Sequence, residues 1–513
     1  MDQPQRERIR DDLKGLVKGD LLFDDLSRTL YSTDASIFQV EPLGAVAPRD
    51  EEDVCALVRY AGENRIPLIP RGAGSGVAGE SLGTGLVVDL SRHFRAILDA
   101  GPDMVRVQPG VVYRDLSVRL AREGRRFAPD PASGAQCTIG GMLANNASGA
   151  RALRHGYSRD HVVSLRAVLD SGDAITAGRH PRLPPPEAHP GRLEDIVSSV
   201  ATLLQQHAGA VAACRPRTPF NRCGYLLHDV LTDDQLDLAR LLVGSEGTLA
   251  VTTEVTVKVQ PRLTETTTVL VPFATLAEVT HAVPRIVASG VNPTILEYAD
   301  ALVLGSITRS AGLDLGIPED VQQRALAYLV VVLEESSESR LDEDVERLGT
   351  LLGDLGAIDV YVLPPQAGAS LITARERLFF VSKAAGCDDI IDAVIPRAAI
   401  PDYLAKVAEL AAAHETFVSG CGHVGDGNVH LAVFQPDVEK RKALTREIFR
   451  IAVEAGGAIS GEHGLGTEKM PYFLEMADPA ALELMRAIKH AFDPMGILAP
   501  DRVLGAGDQR ATS

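Results

Sequence analysis

Apolar positions change period along the chain, and each change marks an element. Behind Asp50, which offers a side-chain oxygen as an N-cap, Val54, Leu57, Val58 and Ala61 recur at helical spacing and predict a helix. A short apolar run at residues 67–70 predicts a buried strand, residues 86–90 a second, and residues 104–108 a third. Pro109 and Gly110 break that strand, and Val112, Leu116 and Leu120 then predict an amphipathic helix. Residues 250–259 alternate as a closing strand, and the break at Gln260, Pro261 and Arg262 places a domain boundary. Beyond it, helix-rich stretches are interleaved with strands expected at residues 328–333 and 359–363, while the acidic stretch 334–346 predicts the solvated face of a helix. Residues 179–191, with Pro184, Pro185 and Pro186, predict an exposed loop. No internal repeat or sustained heptad is present, so the pattern is α+β.

Composition narrows the function classes. A length of 513 residues gives ample core and room for more than one domain. The 45% hydrophobic and 23% charged content is that of a soluble globular chain. Lysine and arginine total 51 against 69 acids, a formal charge of −18, which argues against a protein that tracks nucleic-acid phosphates but leaves room for a local basic pocket. The start of the chain lacks the apolar core of a signal peptide, and no run is long enough to span a membrane. A cytoplasmic location is expected, with peripheral contact at the inner face of the membrane left open. The six cysteines form no C-x-x-C pair, which argues against a cysteine-held cluster and against a disulfide framework.

Candidate chemistry sits in glycine-rich segments. Residues 70–81 hold Gly72, Gly74, Gly76 and Gly79 directly after a predicted strand, so successive backbone N–H groups can face one concavity suited to a pyrophosphate. Similar segments follow at residues 129–149 and 244–249. There is no G-x-x-x-x-G-K-[ST] loop, and no G-x-G-x-x-G follows a first strand in a βαβ unit, so the residues themselves predict a dinucleotide-sized ligand in an unusual fold. In the second half, residues 422–430 and 460–466 gather His423, His430, Glu462 and His463. Gly425 and Gly427 allow a reversal around Asp426 that brings His423 and His430 face to face, with Glu462 arriving from a distant loop. Two imidazoles and a carboxylate suit zinc, manganese or iron, and His463 is a candidate proton acceptor. The plain alternative is two hairpin turns with surface histidines, because His-x6-His matches no simple metal signature.

The three first-half loops resemble the FAD-binding domain of the vanillyl-alcohol oxidase and p-cresol methylhydroxylase (PCMH) superfamily. The two histidine segments resemble its D-2-hydroxyacid dehydrogenase branch, which includes D-lactate dehydrogenases, D-2-hydroxyglutarate dehydrogenases and the glycolate oxidase catalytic subunit. The likeness implies an α+β fold with an N-terminal helical segment (1–37), a PCMH-type FAD-binding domain of two α+β subdomains (38–261), a cap domain on an antiparallel sheet with substrate and metal sites (262–470), and a C-terminal segment returning to the FAD domain (471–513). It implies a pyrophosphate contact at Pro70, Arg71, Gly72, Ala73, Gly74, Ser75 and Gly76, with Gly79, Glu80 and Ser81 just beyond. It also implies flavin contacts at Pro129, Asp130, Thr138, Gly140, Gly141, Ala144, Asn145, Ser148, Gly149 and Gly156, and adenine-end contacts at Glu246, Gly247 and the backbone near Val251. His155 suggests a covalent flavin link, although this branch usually holds FAD noncovalently. Residues 221–225 are similar to an element near the family's active site. His423, His430 and Glu462 match divalent-metal ligands, zinc first with manganese or iron as alternatives, and His463 matches the proposed base. Arg375 or Arg377 stands where relatives bind the substrate carboxylate, and the choice between them is open.

Departures from the family shape the expected substrate and partners. Phe379 and Ile390 occupy the places of a threonine and a lysine in the hydroxyglutarate enzymes, so a second carboxylate has no evident partner, and residues 388–397 are closer to glycolate oxidase or lactate dehydrogenase relatives. Ala250 and Ala499 replace a frequent glycine and asparagine. Some relatives continue into an iron–sulfur module that this sequence lacks, which implies that either a missing extension or an external acceptor carries electrons onward: a quinone, a cytochrome, an electron-transfer flavoprotein or an iron–sulfur partner subunit. A homodimer is compatible. The implied reaction is FAD-dependent, metal-assisted oxidation of a small D-2-hydroxy acid, D-lactate or glycolate first, to the 2-oxo acid, with hydride passing to flavin N5. Alternatives are a D-2-hydroxyglutarate dehydrogenase, a noncatalytic flavin electron-transfer subunit, and a nonredox synthase such as alkyl-dihydroxyacetonephosphate synthase, whose run of consecutive histidines is absent.

Overall fold

The computed structural model describes residues 3–182 and 191–505. Asp50 accepts a hydrogen bond from the Asp53 N–H at the head of helix Glu51–Asn64, and Val54, Leu57, Val58 and Ala61 are fully buried along one face. That face shares an apolar cluster with a four-stranded sheet. In this sheet Leu86–Asp89 lies between Gly44–Ala47 and Leu68–Arg71, parallel to both, and Asp20–Leu22 adds an antiparallel edge. The second sheet is antiparallel, ordered Ile97–Ala100, Met104–Val107, Val251–Lys258, Val162–Val168 and Ala174–Ala177. The closing strand of the sequence pattern is thus central in space; Val255 and Val257 are buried in one core, and Val251, across a register shift between Thr252 and Glu254, is buried in the other.

Seven antiparallel strands organise the second half, in the order Tyr361–Leu363, Glu265–Phe273, Ala327–Glu335, Ile295–Asp300, Phe417–Gly422, Asn428–Phe434 and Asp389–Val394. Side chains alternate across the inner strand Ala327–Glu335. Leu329, Val331 and Leu333 join a core with Val279, Val283 and Ile286 of helix Leu276–Ala288. Tyr328 and Val330 face the other way, toward Val303, Leu304 and Ile307 of helix Ala301–Ala311 and Leu371 of helix Pro365–Arg375. After helix Pro479–Phe492 the chain rejoins the first sheet, where Leu68 N–H donates to Ile497 O at 2.7 Å and Ala499 N–H donates to Leu68 O at 2.8 Å.

Two sequence expectations change. Arg179–Pro181 is a strand paired with Gln235–Asp237 rather than open loop, and residues 183–190, with the three prolines, lie outside the described residues. Glu334 belongs to the strand Ala327–Glu335 instead of a solvated helix, which begins only at Glu338. It is buried because Arg126 Nη1 donates to it at 2.7 Å and Arg151 also pairs with it. All six cysteines are free, and no helix among the described residues is long and apolar enough to cross a membrane.

Candidate active site at the meeting of two cavities

A cavity of about 520 Å³ opens where the three glycine-rich segments converge. The first segment leaves the strand Leu68–Arg71, passes Gly74 at φ +65°, and packs so tightly that a Cβ on Gly72 would lie 2.2 Å from Thr138 Oγ1. Its wall includes Pro70, Arg71, Gly72, Ala73, Gly74, Ser75, Gly76, Glu80 and Ser81, then Thr138, Gly140, Gly141, Ala144, Asn145 and Ser148, then Glu246 and Gly247. The remaining residues named for FAD are absent from this wall, each for a local reason. Val251 turns into the core while its neighbours Ala250 and Thr252 face the cavity, as strand alternation requires. Asp130 is engaged by Arg151 at 2.6 Å, and Gly149 is pressed against the Asp130 carbonyl. Pro129 is buried, Gly79 packs toward Thr467 and Phe38, and Gly156 ends the helix Ala152–His155. The ring nitrogens of His155 are taken up by Arg126 and Gln260, and His155 does not line the cavity.

The two halves of the chain are tied at this wall. Glu246 accepts from Leu465 N–H at 2.8 Å and from Gly466 N–H at 3.1 Å. Asn145 Nδ2 donates to His463 O at 3.0 Å and to Glu80 Oε1 at 3.3 Å. Burial, with the Glu246 carboxyl nearby, pushes the Glu80 carboxyl up to about 8. Arg222, buried, donates to Glu462 O at 2.7 Å, to Ser148 Oγ at 3.2 Å and also to Asn145 O. Its guanidinium lies 4.8 Å from the ring centroid of Tyr157, whose hydroxyl donates to Gly461 O at 3.1 Å.

A second cavity, of about 140 Å³, adjoins the first, and Ala132, Glu376, Glu462 and His463 line both. At its polar end the turn between Phe417–Gly422 and Asn428–Phe434 presents His423 and His430, whose ring centroids are 5.3 Å apart. Gly427, at φ +88°, makes this turn; a Cβ there would lie 2.1 Å from Ile395 O. Glu462 Oε1 is 3.2 Å from His423 Nε2 and 3.1 Å from His430 Nε2. One ligand atom from each of the three lies within 4.8 Å of the others. His423 Nδ1 is 2.7 Å from Glu297 Oε1, an outer carboxylate that orients the ring so that Nε2 faces Glu462. The buried His423, oriented by the outer Glu297 carboxylate, the half-buried His430 and the Glu462 carboxylate beside both fit a divalent metal by donor chemistry.

Asp392, fully buried, organises the neighbouring loop. It accepts from Glu462 N–H at 3.0 Å, His463 N–H at 2.8 Å, Ser460 Oγ at 3.1 Å and Lys469 Nζ at 3.3 Å. Burial alone would raise its carboxyl, but Lys469, His463 and His430 outweigh burial and hold it well below the usual carboxylate range. His463 stacks on His430, ring centroids 5.2 Å apart, with Nδ1 3.9 Å from Asp392. Burial pushes its imidazole down to about 4 despite Asp392, with Lys469 adding to the drop, so at neutral pH it is an unprotonated acceptor. Arg375 lines the same cavity, pairs with Glu297, and leaves its Nε without a partner among the described residues. Arg377 is exposed, caps helix Leu378–Ala384 and lines neither cavity. Ile390 is on the wall of the smaller cavity; the Phe379 side chain lies outside the described residues. Glu297, Asp392 and Lys469 were not singled out in the sequence. The available signal was a lone acid inside an apolar strand, as in residues 295–299 and 390–394.

Comparison with known proteins agrees with this arrangement. Residues 42–178 match the signature described as FAD binding domain, and residues 262–503 match that of FAD linked oxidases, C-terminal domain. An uncharacterized FAD-linked oxidoreductase of Mycobacterium tuberculosis is 40% identical over 468 residues, covering 91% of each chain. The chain belongs to the FAD-linked oxidoreductase family. Another relative of this oxidoreductase, a D-lactate dehydrogenase of Archaeoglobus fulgidus, is 31% identical over 90% of each chain. A solved alkyldihydroxyacetonephosphate synthase shares the fold, with a TM-score of 0.67 at 18% identity, covering 98% of this chain and 85% of that one. The α+β architecture, a PCMH-type FAD-binding domain followed by a C-terminal domain on an antiparallel sheet, is therefore that of the family.

Proposed function

We propose that this oxidoreductase oxidises a D-2-hydroxy monocarboxylic acid, the class whose smallest members are glycolate and D-lactate, to the 2-oxo acid. The observation that carries the reading is His463, unprotonated at neutral pH, on the shared wall of a dinucleotide-sized cavity and a small cavity that holds His423, His430, Glu462 and Arg375. FAD, when bound, supplies the two-electron acceptor, and a divalent metal at His423, His430 and Glu462 supplies Lewis acidity. Arg375 binds the substrate carboxylate through its fork of N–H donors. His463 accepts the hydroxyl proton, and Asp392 fixes the loop that carries it. The apolar wall beyond excludes water from the reacting end. An external acceptor then reoxidises the protein.

Anaerobic addition of D-lactate to the purified, metal-loaded flavoprotein should bleach the visible flavin band, and L-lactate should not. His463→Ala should slow that reduction by about 10²–10⁴-fold with flavin retained. A wild-type rate in the variant would remove His463 from the proton-accepting role. A band unchanged by every 2-hydroxy acid tested would favour a noncatalytic electron-transfer subunit.

A further inference from the structure

Away from the histidines the wall of the smaller cavity is mostly hydrocarbon: Val303, Leu304 and Ile307 from helix Ala301–Ala311, Leu371 from Pro365–Arg375, Leu378 from the next helix and Ala432 from the strand Asn428–Phe434, with the Ser382 and Ser419 hydroxyls and the Glu376 carboxyl among them. Val303, Leu304, Ile307 and Leu371 are all at most 8% exposed, so this is interior space and not a surface dent. Among the described residues of the wall, Arg375 is the one guanidinium or ammonium. At roughly 10–15 Å³ per water-sized group, the 140 Å³ holds on the order of ten non-hydrogen atoms. A 2-hydroxycarboxylate head fills about half of that, which leaves room for a side chain of about four carbons.

Each class of side chain meets this wall differently. A carboxylate there would lose its water and find no cation beyond Arg375, which the first carboxylate occupies. A methyl group would leave most of the hydrocarbon without contacts. We propose, resting on the oxidation above, that the site selects D-2-hydroxy monocarboxylic acids with an apolar, branched side chain of about four carbons, larger than that of lactate. Val303, Leu304, Ile307, Leu371, Leu378 and Ala432 set that preference by contact with the side chain. The reaction is unchanged: the C2–H and O–H bonds of the alcohol break, the carbonyl forms, the hydride pair leaves to FAD and the proton to His463.

The test is anaerobic flavin reduction of the holoenzyme by D-lactate, D-2-hydroxyisocaproate and D-2-hydroxyglutarate. Each methylene moved from water to hydrocarbon contributes about fourfold, so D-2-hydroxyisocaproate should exceed D-lactate in reduction efficiency by at least about tenfold, with D-2-hydroxyglutarate below both. Equal or greater efficiency with D-lactate or D-2-hydroxyglutarate overturns the preference and leaves the oxidation standing. Failure of all three acids overturns the oxidation and the preference with it. In Ala432→Phe, which fills the wall, the isocaproate-to-lactate ratio should fall about tenfold. An unchanged ratio in a flavin-loaded variant would show that the side chain lies elsewhere and overturn the assignment.

Discussion

Glu297 touches both His423 and Arg375, so one carboxylate orients a metal-ligating imidazole and a carboxylate-binding guanidinium. Glu297→Gln should weaken metal retention about 10- to 100-fold, measured as metal per protein after dialysis against a graded chelator. Retention equal to wild type would mean that packing alone orients His423. A different residue controls acid stability. Burial, with Arg126 beside it, pushes the His155 imidazole from 6.5 down to about 3. Below pH 6.5 the unfolded chain takes up a proton that the folded protein refuses, so stability present above that pH is lost as pH falls toward 3. By pH 5 the loss is on the order of 1–2 kcal/mol. His155→Gln should therefore narrow the gap between the Tm values at pH 7 and pH 5, and a gap as wide as in the wild type would contradict this assignment.

At the scale of elements, one turn sets the separation of the two histidines. His423 follows Phe417–Gly422, His430 lies opposite Cys421 in the paired strand, and Gly427 closes the reversal by approaching the Ile395 carbonyl. Gly427→Ala combines a left-handed backbone with a backbone collision, so it should destabilise the protein by about 1–3 kcal/mol and lower metal content. Unchanged Tm and metal content would show that the turn can relax. The same strand geometry explains what could be read in advance. Helix Glu51–Asn64 and strand Val251–Lys258 were legible because a helical or alternating period is a local property of consecutive residues. Near Val251 the backbone reaches the cavity while the Val251 side chain turns to the core, because a shift of one residue in a strand exchanges its two faces.

Across the whole molecule, Glu334 joins the halves of the chain: it lies on an inner strand of the second-half sheet and pairs with Arg126 and Arg151 of the first half. Glu334→Ala strands two guanidinium groups at this seam and should lower stability by about 3 kcal/mol, seen as a reduced Tm with flavin bound. A Tm equal to wild type would show that water or other carboxylates satisfy both arginines. The sequence by itself determined the local periods, the Asp50 cap and the glycine-rich loops, and it placed His423, His430, Glu462 and His463 in turns able to converge, because backbone freedom and side-chain chemistry are written residue by residue. Tertiary structure alone decided that Glu334 is a buried strut and not a solvated helix residue, since its partner Arg126 is 208 positions away. It also decided that Glu297 and Asp392 support the site, that Arg375 and not Arg377 faces the cavity, and that hydrocarbon walls the far end. These depend on the order of strands in a sheet and on how helices cover it, and such long-range adjacency leaves no period in the chain.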